Sequence, residues 1–230
     1  MPSTPFYDMA FLTDLQGRGI ITNTFLRLNP SRREAIVTGI LEEAAFKGPT
    51  KLNIKEAARR AGVSVGSLYQ YFNHREGLLD FAIEITTKQM VAAFSEFKPY
   101  LSEKPLHEAL SAYLQGGDEI AKEYTGYVQF FASAAYQGDP VLTERVVRPV
   151  AQAMLEMTRA ILEKARSRGE VRSGIDFEAT VRLVNTLVIA VYDAQFLSHL
   201  NTYYQLTDKN IKRERILESM LDLIESALRG

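Results

Sequence analysis

The sequence predicts an all-α chain in two parts, a small helical module near the N-terminus and a larger helical body behind it. Three observations carry this. Asn53–Arg75 reads as two short capped helices around a tight glycine turn. Apolar residues recur at helical spacing through the long segments from Ile36 to Leu228. Glycine and proline mark segment ends at Gly48-Pro49, Gly62, Pro99, Gly138 and Gly169.

Composition bounds the function. The 230 residues can bury one good core or two modest ones, and 46% hydrophobic with 24% charged residues is ordinary for a soluble globular protein. There is no Cys, hence no disulfide framework and no thiolate chemistry. No apolar run approaches the ~20 residues of a membrane span. The opening MPSTPFYDMAFLTDL lacks the basic start and clean apolar stretch of a signal peptide. A cytoplasmic protein with no membrane partner is expected. His74, His107 and His199 lie far apart, none in a metal-ligand pattern, and read as surface or capping residues. No GxxxxGK(S/T) or GxGxxG occurs, and the GxSxG string Gly62-Val63-Ser64-Val65-Gly66 stands between two helices rather than after a strand, so no metal, no cofactor and no enzymatic activity are expected. Net charge is −1, yet residues 31–75 hold eight Lys/Arg (Arg32, Arg33, Lys47, Lys51, Lys55, Arg59, Arg60, Arg75) against four Glu. Residues 76–230 hold 17 basic and 22 acidic residues. A basic module on an acidic body is the footprint of a protein that meets phosphate at one end.

Residues 1–30 form an extension broken by Pro2, Pro5, Gly17, Gly19 and Pro30, apolar enough over Phe6–Leu15 and Ile20–Leu28 to pack on the body or on a partner subunit. A helix over 31–47 follows, capped by Ser31 with Glu34 three residues on, and with Ile36, Ile40 and Ala44 inward. Asn53 caps the next helix, and Glu56 stands where it can complete a capping box. Ile54, Ala57, Ala58 and Ala61 give that helix its inner face, and Gly62 ends it. Ser64 caps a third helix, with Leu68 and Phe72 inward; Val65, Gly66, Ser67, Gln70 and Tyr71 point outward, with Tyr69 at the flank. Helices joined by so short a glycine turn cross steeply, as in a helix-turn-helix. The outer face is slim, hydrogen-bonding and free of carboxylates, as entry into a major groove requires. A small helical hairpin in an ordinary bundle fits the same spacing.

A long helix over 75–97 follows, with Leu78, Leu79, Ala82, Ile83, Met90, Phe94 and Phe97 as its stripe and Pro99 as its end. Further helices are predicted over 105–123, 124–136, 140–147, 149–168, 177–200 and from 207 or 208 to 228. The run LVNTLVIAVYDAQF within 177–200 is apolar nearly all round, which asks for burial on more than one side.

Residues 61–79, AGVSVGSLYQYFNHREGLL, resemble the DNA-binding domain of the TetR/AcrR family of bacterial transcriptional regulators. The likeness covers about 45 residues, Ser31 to Arg75. Glu43-Ala44 departs from it, standing where a Leu-Phe pair is usual, so Phe46 or the extension is expected to complete the small core. The resemblance implies three regions: an extension (1–30), a three-helix DNA-binding domain (31–76) and a ligand-binding and dimerisation domain (77–230). It implies a homodimeric, ligand-responsive repressor on an inverted-repeat operator in double-stranded DNA, with the 75–97 helix carrying the ligand signal. By position it assigns Lys55, Tyr69, Tyr71 and Arg75 to phosphates, and Val65, Gly66, Ser67 and Gln70 to bases. Asn53 and Ser64 cap helices and donate to phosphate. It surrounds a small, largely apolar effector with Phe94, Phe97, Tyr113, Tyr127, Phe130, Phe131, Met154, Met157, Tyr192 and Phe196, residues that equally serve as core filler. It places Val184, Val188, Ile216, Met220, Leu223 and Ile224 at the dimer interface; an internal helix pair is the alternative. A rival from another class is a helical small-molecule-binding or scaffold protein that uses the small domain for protein contacts.

Overall fold

The structure, a computed structural model, describes residues 8–123 and 125–229, with backbone alone over 116–123; the first seven residues of the extension lie outside it. Among the described residues every regular element is helical. In chain order these are α1 (Met9–Gly17), α2 (Asn23–Leu26), α3 (Pro30–Lys47), α4 (Ile54–Arg60), α5 (Val65–Phe72), α6 (Arg75–Ser102) and α7 (Leu106–Glu123). They continue with α8 (Thr125–Gln137), α9 (Pro140–Leu142), α10 (Arg148–Ser167), α11 (Phe177–Phe196), α12 (Ser198–Tyr204) and α13 (Arg213–Leu228). Two compact units result, one through Ala92 together with Gly126–Val150, the other from Ala93–Thr125 and Ala151 onward.

The first unit closes on an aromatic centre. Phe25, Phe72 and Phe81 are fully buried, with ring centroids 4.9–5.2 Å apart, and Ile36, Ile40, Leu68 and Leu78 are fully buried in the same unit. Phe25 belongs to the extension, which therefore completes the small core. Phe46 does not: it is 69% exposed, under the guanidinium of Arg60. Glu43 is buried instead, bonded to Arg60 Nε at 3.3 Å. α3 begins one residue earlier than expected because Asn29, followed by Pro30 at the first helical position, is the cap; its Oδ1 accepts from Arg32 N at 2.8 Å. α3 and α4 approach closely at Gly39, where an added Cβ would lie 2.5 Å from Ala61 N.

Two prolines do not end helices. α6 continues past Pro99 to Ser102; burying Leu101 in the second unit's core outweighs one missing N–H in a last turn. The expected break before Pro149 is a π-turn over Thr143–Val147 that leads directly into α10. The carbonyl of Arg145, which an α-helical N–H at position 149 would have bonded, accepts instead from Thr87 Oγ1 at 2.8 Å.

In the second unit α7, α10, α11 and α13 share a core that includes Leu110, Leu114, Ile161, Leu162, Val181 and Leu221. The long helix expected over 177–200 breaks at Leu197, which is extended (φ −120°, ψ 91°). α13 starts later than expected because Asp208 Oδ1 accepts from the N–H groups of Asn210 and Ile211, forming a turn rather than a helix cap. α11 is not buried all round: Leu183 is 66% and Leu187 38% exposed.

Candidate nucleic-acid interface

The α4–α5 pair is assembled from local chemistry. Asn53 Oδ1 accepts from Lys55 N at 3.0 Å. Glu56 does not close a capping box; its carboxylate holds Arg59 Nε at 2.8 Å, a partner one turn away on the same face. Gly62, at φ +63°, donates to Arg59 O while Val63 N donates to Ala58 O, the paired bonds of a Schellman stop. Ser64 Oγ then accepts from Ser67 N at 3.0 Å and lies 2.8 Å from Ser67 Oγ.

This leaves Val65 half-buried, Gly66 exposed, Ser67 half-buried, and Tyr69 and Gln70 exposed along one side of α5. An added Cβ at Gly66 would meet only Ser64 Oγ at 3.7 Å, so packing does not require glycine there. Tyr71 corrects the outward assignment: it is 8% exposed and meets Phe25 edge-on, with centroids 6.0 Å apart. Helical spacing placed it outside because the extension that covers it is not a neighbour in sequence.

Arg75, assigned to phosphate, braces the fold. Nη2 donates to Thr50 O at 3.0 Å, and Nε and Nη2 each donate to Leu52 O at 3.3 Å. Other basic residues are similarly engaged. Arg32 bonds Gly62 O, Arg33 bonds Leu26 O and Leu28 O, and Arg60 pairs with Glu42 and Glu43. Lys47, Lys51 and Lys55 are exposed, and with them the module offers phosphate fewer mobile cations than its composition promised. His74 serves as a cap, its Nδ1 accepting from Gly77 N at 3.0 Å.

The model of the bacterial regulatory proteins of the tetR family matches residues 36–81, the span of α3 to the start of α6. Residues 36–81 thus carry the N-terminal domain of the TetR family. Similar curated proteins include the HTH-type transcriptional regulator BetI of Cronobacter sakazakii, 27% identical over 123 residues (52% of this chain, 61% of that protein). BetI of Klebsiella pneumoniae is 28% identical over 116 residues (49% of this chain, 60% of that protein). The chain thus spans about three-fifths of the length of the curated relatives it matches. A TetR family regulator from Chloroflexus aurantiacus superposes with a TM-score of 0.63 at 19% identity, over 91% of this chain and 99% of that one. The FadR regulator of Bacillus subtilis, in complex with stearoyl-CoA, gives 0.61 at 20% identity, over 85% and 99%. SmeT, in complex with triclosan, gives 0.65 at 18% identity, over 87% and 92%. At these identities the likeness shows the fold alone.

The other residues that the TetR likeness singled out divide between the units. Tyr127, Phe130 and Phe131 lie in the first, with Tyr127 and Phe130 buried. In the second, Tyr113 and Met157 are core residues against which Phe94, Phe97 and Tyr192 pack; Met154 is buried, and Phe196 stacks on Tyr192. The Tyr192 hydroxyl donates to the carbonyls of Tyr113 (2.8 Å) and Leu114 (3.0 Å), so it orients backbone. Burial pushes the Tyr113 phenol up, with the Thr158 hydroxyl pulling the other way. A cavity of about 380 Å³ lies elsewhere in this unit, bounded by Val191, Leu206, Ile211, Arg213 and Ile216; none of the ten named residues lines it. Of the six interface candidates, Val184, Val188, Met220 and Ile224 are buried in the chain's own core, Ile216 is half-buried, and Leu223 is 63% exposed. On α11 and α13 the exposed large apolar residues are Leu183, Leu187 and Leu223. No described helix is long and apolar enough to cross a membrane, and no described cluster of three His, Cys, Asp or Glu could hold a metal.

Sequence reasoning missed Thr22, Gly39 and Gly77. Gly39 carried a signal, a lone glycine inside a helical stripe. Thr22 carried none.

Proposed function

We propose that this chain is a cytoplasmic, homodimeric, ligand-responsive repressor whose α5 reads an inverted-repeat operator in double-stranded DNA. The single observation behind it is the outer side of α5. Val65, Gly66, Ser67, Tyr69 and Gln70 form an accessible face with no carboxylate and with a glycine that packing does not require. Gln70 is the residue for a hydrogen-bonded base contact, and Val65 for a thymine methyl. Tyr69, Lys55 and the capped N-terminus at Ser64 meet phosphate. Residues 31–76 act as the DNA-binding domain and 77–230 as the ligand and dimerisation domain. The FadR and SmeT complexes with stearoyl-CoA and triclosan favour a largely apolar effector here. Exposed Leu183, Leu187 and Leu223 supply the apolar surface for a second copy.

Selection of duplexes from a random-sequence pool tests this. A palindromic consensus should emerge, and Gln70→Ala should relax preference at one base pair per half-site while leaving binding to unselected DNA unchanged. Failure to enrich any sequence at low salt would sink the regulator reading and favour a scaffold that uses the small domain for protein contacts.

A further inference from the structure

The extension reaches α5 at the end away from its cap. Thr22 N donates to Tyr71 O at 2.9 Å and Thr22 Oγ1 donates to Gln70 O at 2.7 Å. These are two of the last carbonyls of α5, which a helix this short would otherwise leave to water. The same hydroxyl accepts from Phe25 N, capping α2, and the Phe25 ring seals Tyr71 and Phe72 from below.

The turn that follows is strained. Asn73 sits at φ 61°, ψ −51°, and His74 N donates back to Phe72 O at 2.7 Å, closing a three-residue γ-turn at positive φ. A non-glycine residue persists there only when its surroundings over-determine it. Two contacts do so: Asn73 Nδ2 reaches Gly19 O at 3.5 Å, and Gly77 leaves room for Phe72 O, which would lie 2.3 Å from an added Cβ. Gly19 and Thr22 are themselves anchored through Arg18. Its guanidinium is bidentate to Glu84 on α6 (2.7 and 3.2 Å), and Glu84 also accepts from Arg145 of the π-turn at 3.0 Å.

We propose that residues 19–25 are a positioning element for DNA reading, which clamps the last carbonyls of α5 and the strained turn at Asn73 and thereby fixes the direction in which Gln70 and its neighbours meet base edges. The proposal rests on the DNA-binding reading above. Gln70 is the informative residue in it: the side chain faces outward while its own carbonyl is held by Thr22. Loss of the clamp leaves the helix formed and its caps intact but frees its heading, so discrimination between sequences falls while general attraction to phosphate remains.

The test uses the full chain, a duplex that the wild type selects from a random pool, and an unselected duplex as control. Thr22→Val, which keeps the shape and the backbone N–H but removes both bonds of the hydroxyl, should lower the ratio of selected to unselected affinity about fivefold to tenfold, the worth of the hydrogen bond to the Gln70 carbonyl. Binding to the unselected duplex and its salt dependence should not change, and Thr22→Ser should restore the ratio. Asn73→Gly separates position from stability: it relieves the strain and should keep or raise the thermal midpoint, yet should also lower the ratio. A wild-type ratio in both Thr22→Val and Asn73→Gly overturns the proposal. So does a loss that affects both duplexes equally, or one that Thr22→Ser does not rescue. Failure of the wild type to select any duplex is a different result, and it is the regulator reading that then falls.

Discussion

At its N-terminal end α5 is held from within one turn, by Ser64 and Ser67; at its C-terminal end it is held by groups 48 and 54 residues away, on Thr22 and Gly19. The first end is open and carries a glycine that packing does not require. The second is enclosed by Phe25, Phe81 and the backbone of the extension. The contrast shows how one short helix can be both accessible and well placed. The exposed side is kept free of long-range hydrogen bonds, and the helix is anchored from the opposite end.

The comparison can be broken most severely at Phe25. Phe25→Ala empties a fully buried ring site and should cost about 3–5 kcal/mol, read as a lower urea midpoint with little change in slope. Gly77→Ala should come next, at about 1–3 kcal/mol, because the added Cβ meets a backbone carbonyl that cannot rotate away. A cost near zero would show that the turn at Asn73 is soft. Gly66→Ala, at the open end, should have the opposite sign. It should stabilise by up to about 0.5–1 kcal/mol and weaken binding to selected DNA; unaltered binding would mean that this end does not approach a groove. The smallest effect concerns pH. Burial raises the Glu84 carboxyl, but the hydrogen bonds and charges of Arg18 and Arg145 prevail and hold it below its ordinary value. Its contribution is therefore present above the unfolded value of about 4.3 and lost as pH falls through the depressed folded value. Glu84→Gln should flatten that acid limb, measured by urea midpoints against pH.

Local chemistry was legible in the sequence and distant chemistry was not. Asn53, Gly62 and Ser64 announce the α4–α5 pair because a cap or a positive-φ stop is made by residues within a few positions of each other. Thr22 makes its two bonds to residues far along the chain, so in sequence it is one polar residue in a broken apolar stretch. Tyr71 shows the cost of this: its position on the helical wheel was read correctly, but the face that Phe25 covers cannot be inferred from α5 alone. Pro99 failed as the end of a helix, and the gap expected before Pro149 is closed, for a related reason. A buried Leu101 and a hydroxyl from Thr87 compensate each missing N–H, and both compensations come from tertiary packing. In the C-terminal half, the apolar helices at Val181–Ala194 and Leu217–Leu228 were recognised. Which side of the first faces inward was not, since a helix apolar nearly all round gives no direction. Hence Val184 and Val188 proved to be core, and Leu183 and Leu187 surface.

The extension also sets an order of assembly. Gly19, Thr22 and Arg18 leave the ribosome before the amide, carbonyl and carboxylate they bond, which follow 54, 48 and 66 residues later. Contacts of such sequence separation carry a loop-closure cost that neighbouring helices do not, so α3, α4 and α5 can associate first and the clamp closes afterwards. Pulse-labelled hydrogen exchange should find the Ala57 and Ala61 amides protected ahead of Thr22. α5 would thus exist during folding before its C-terminal end is clamped, and α6 must be made at least as far as Glu84 before Arg18 has its anchor.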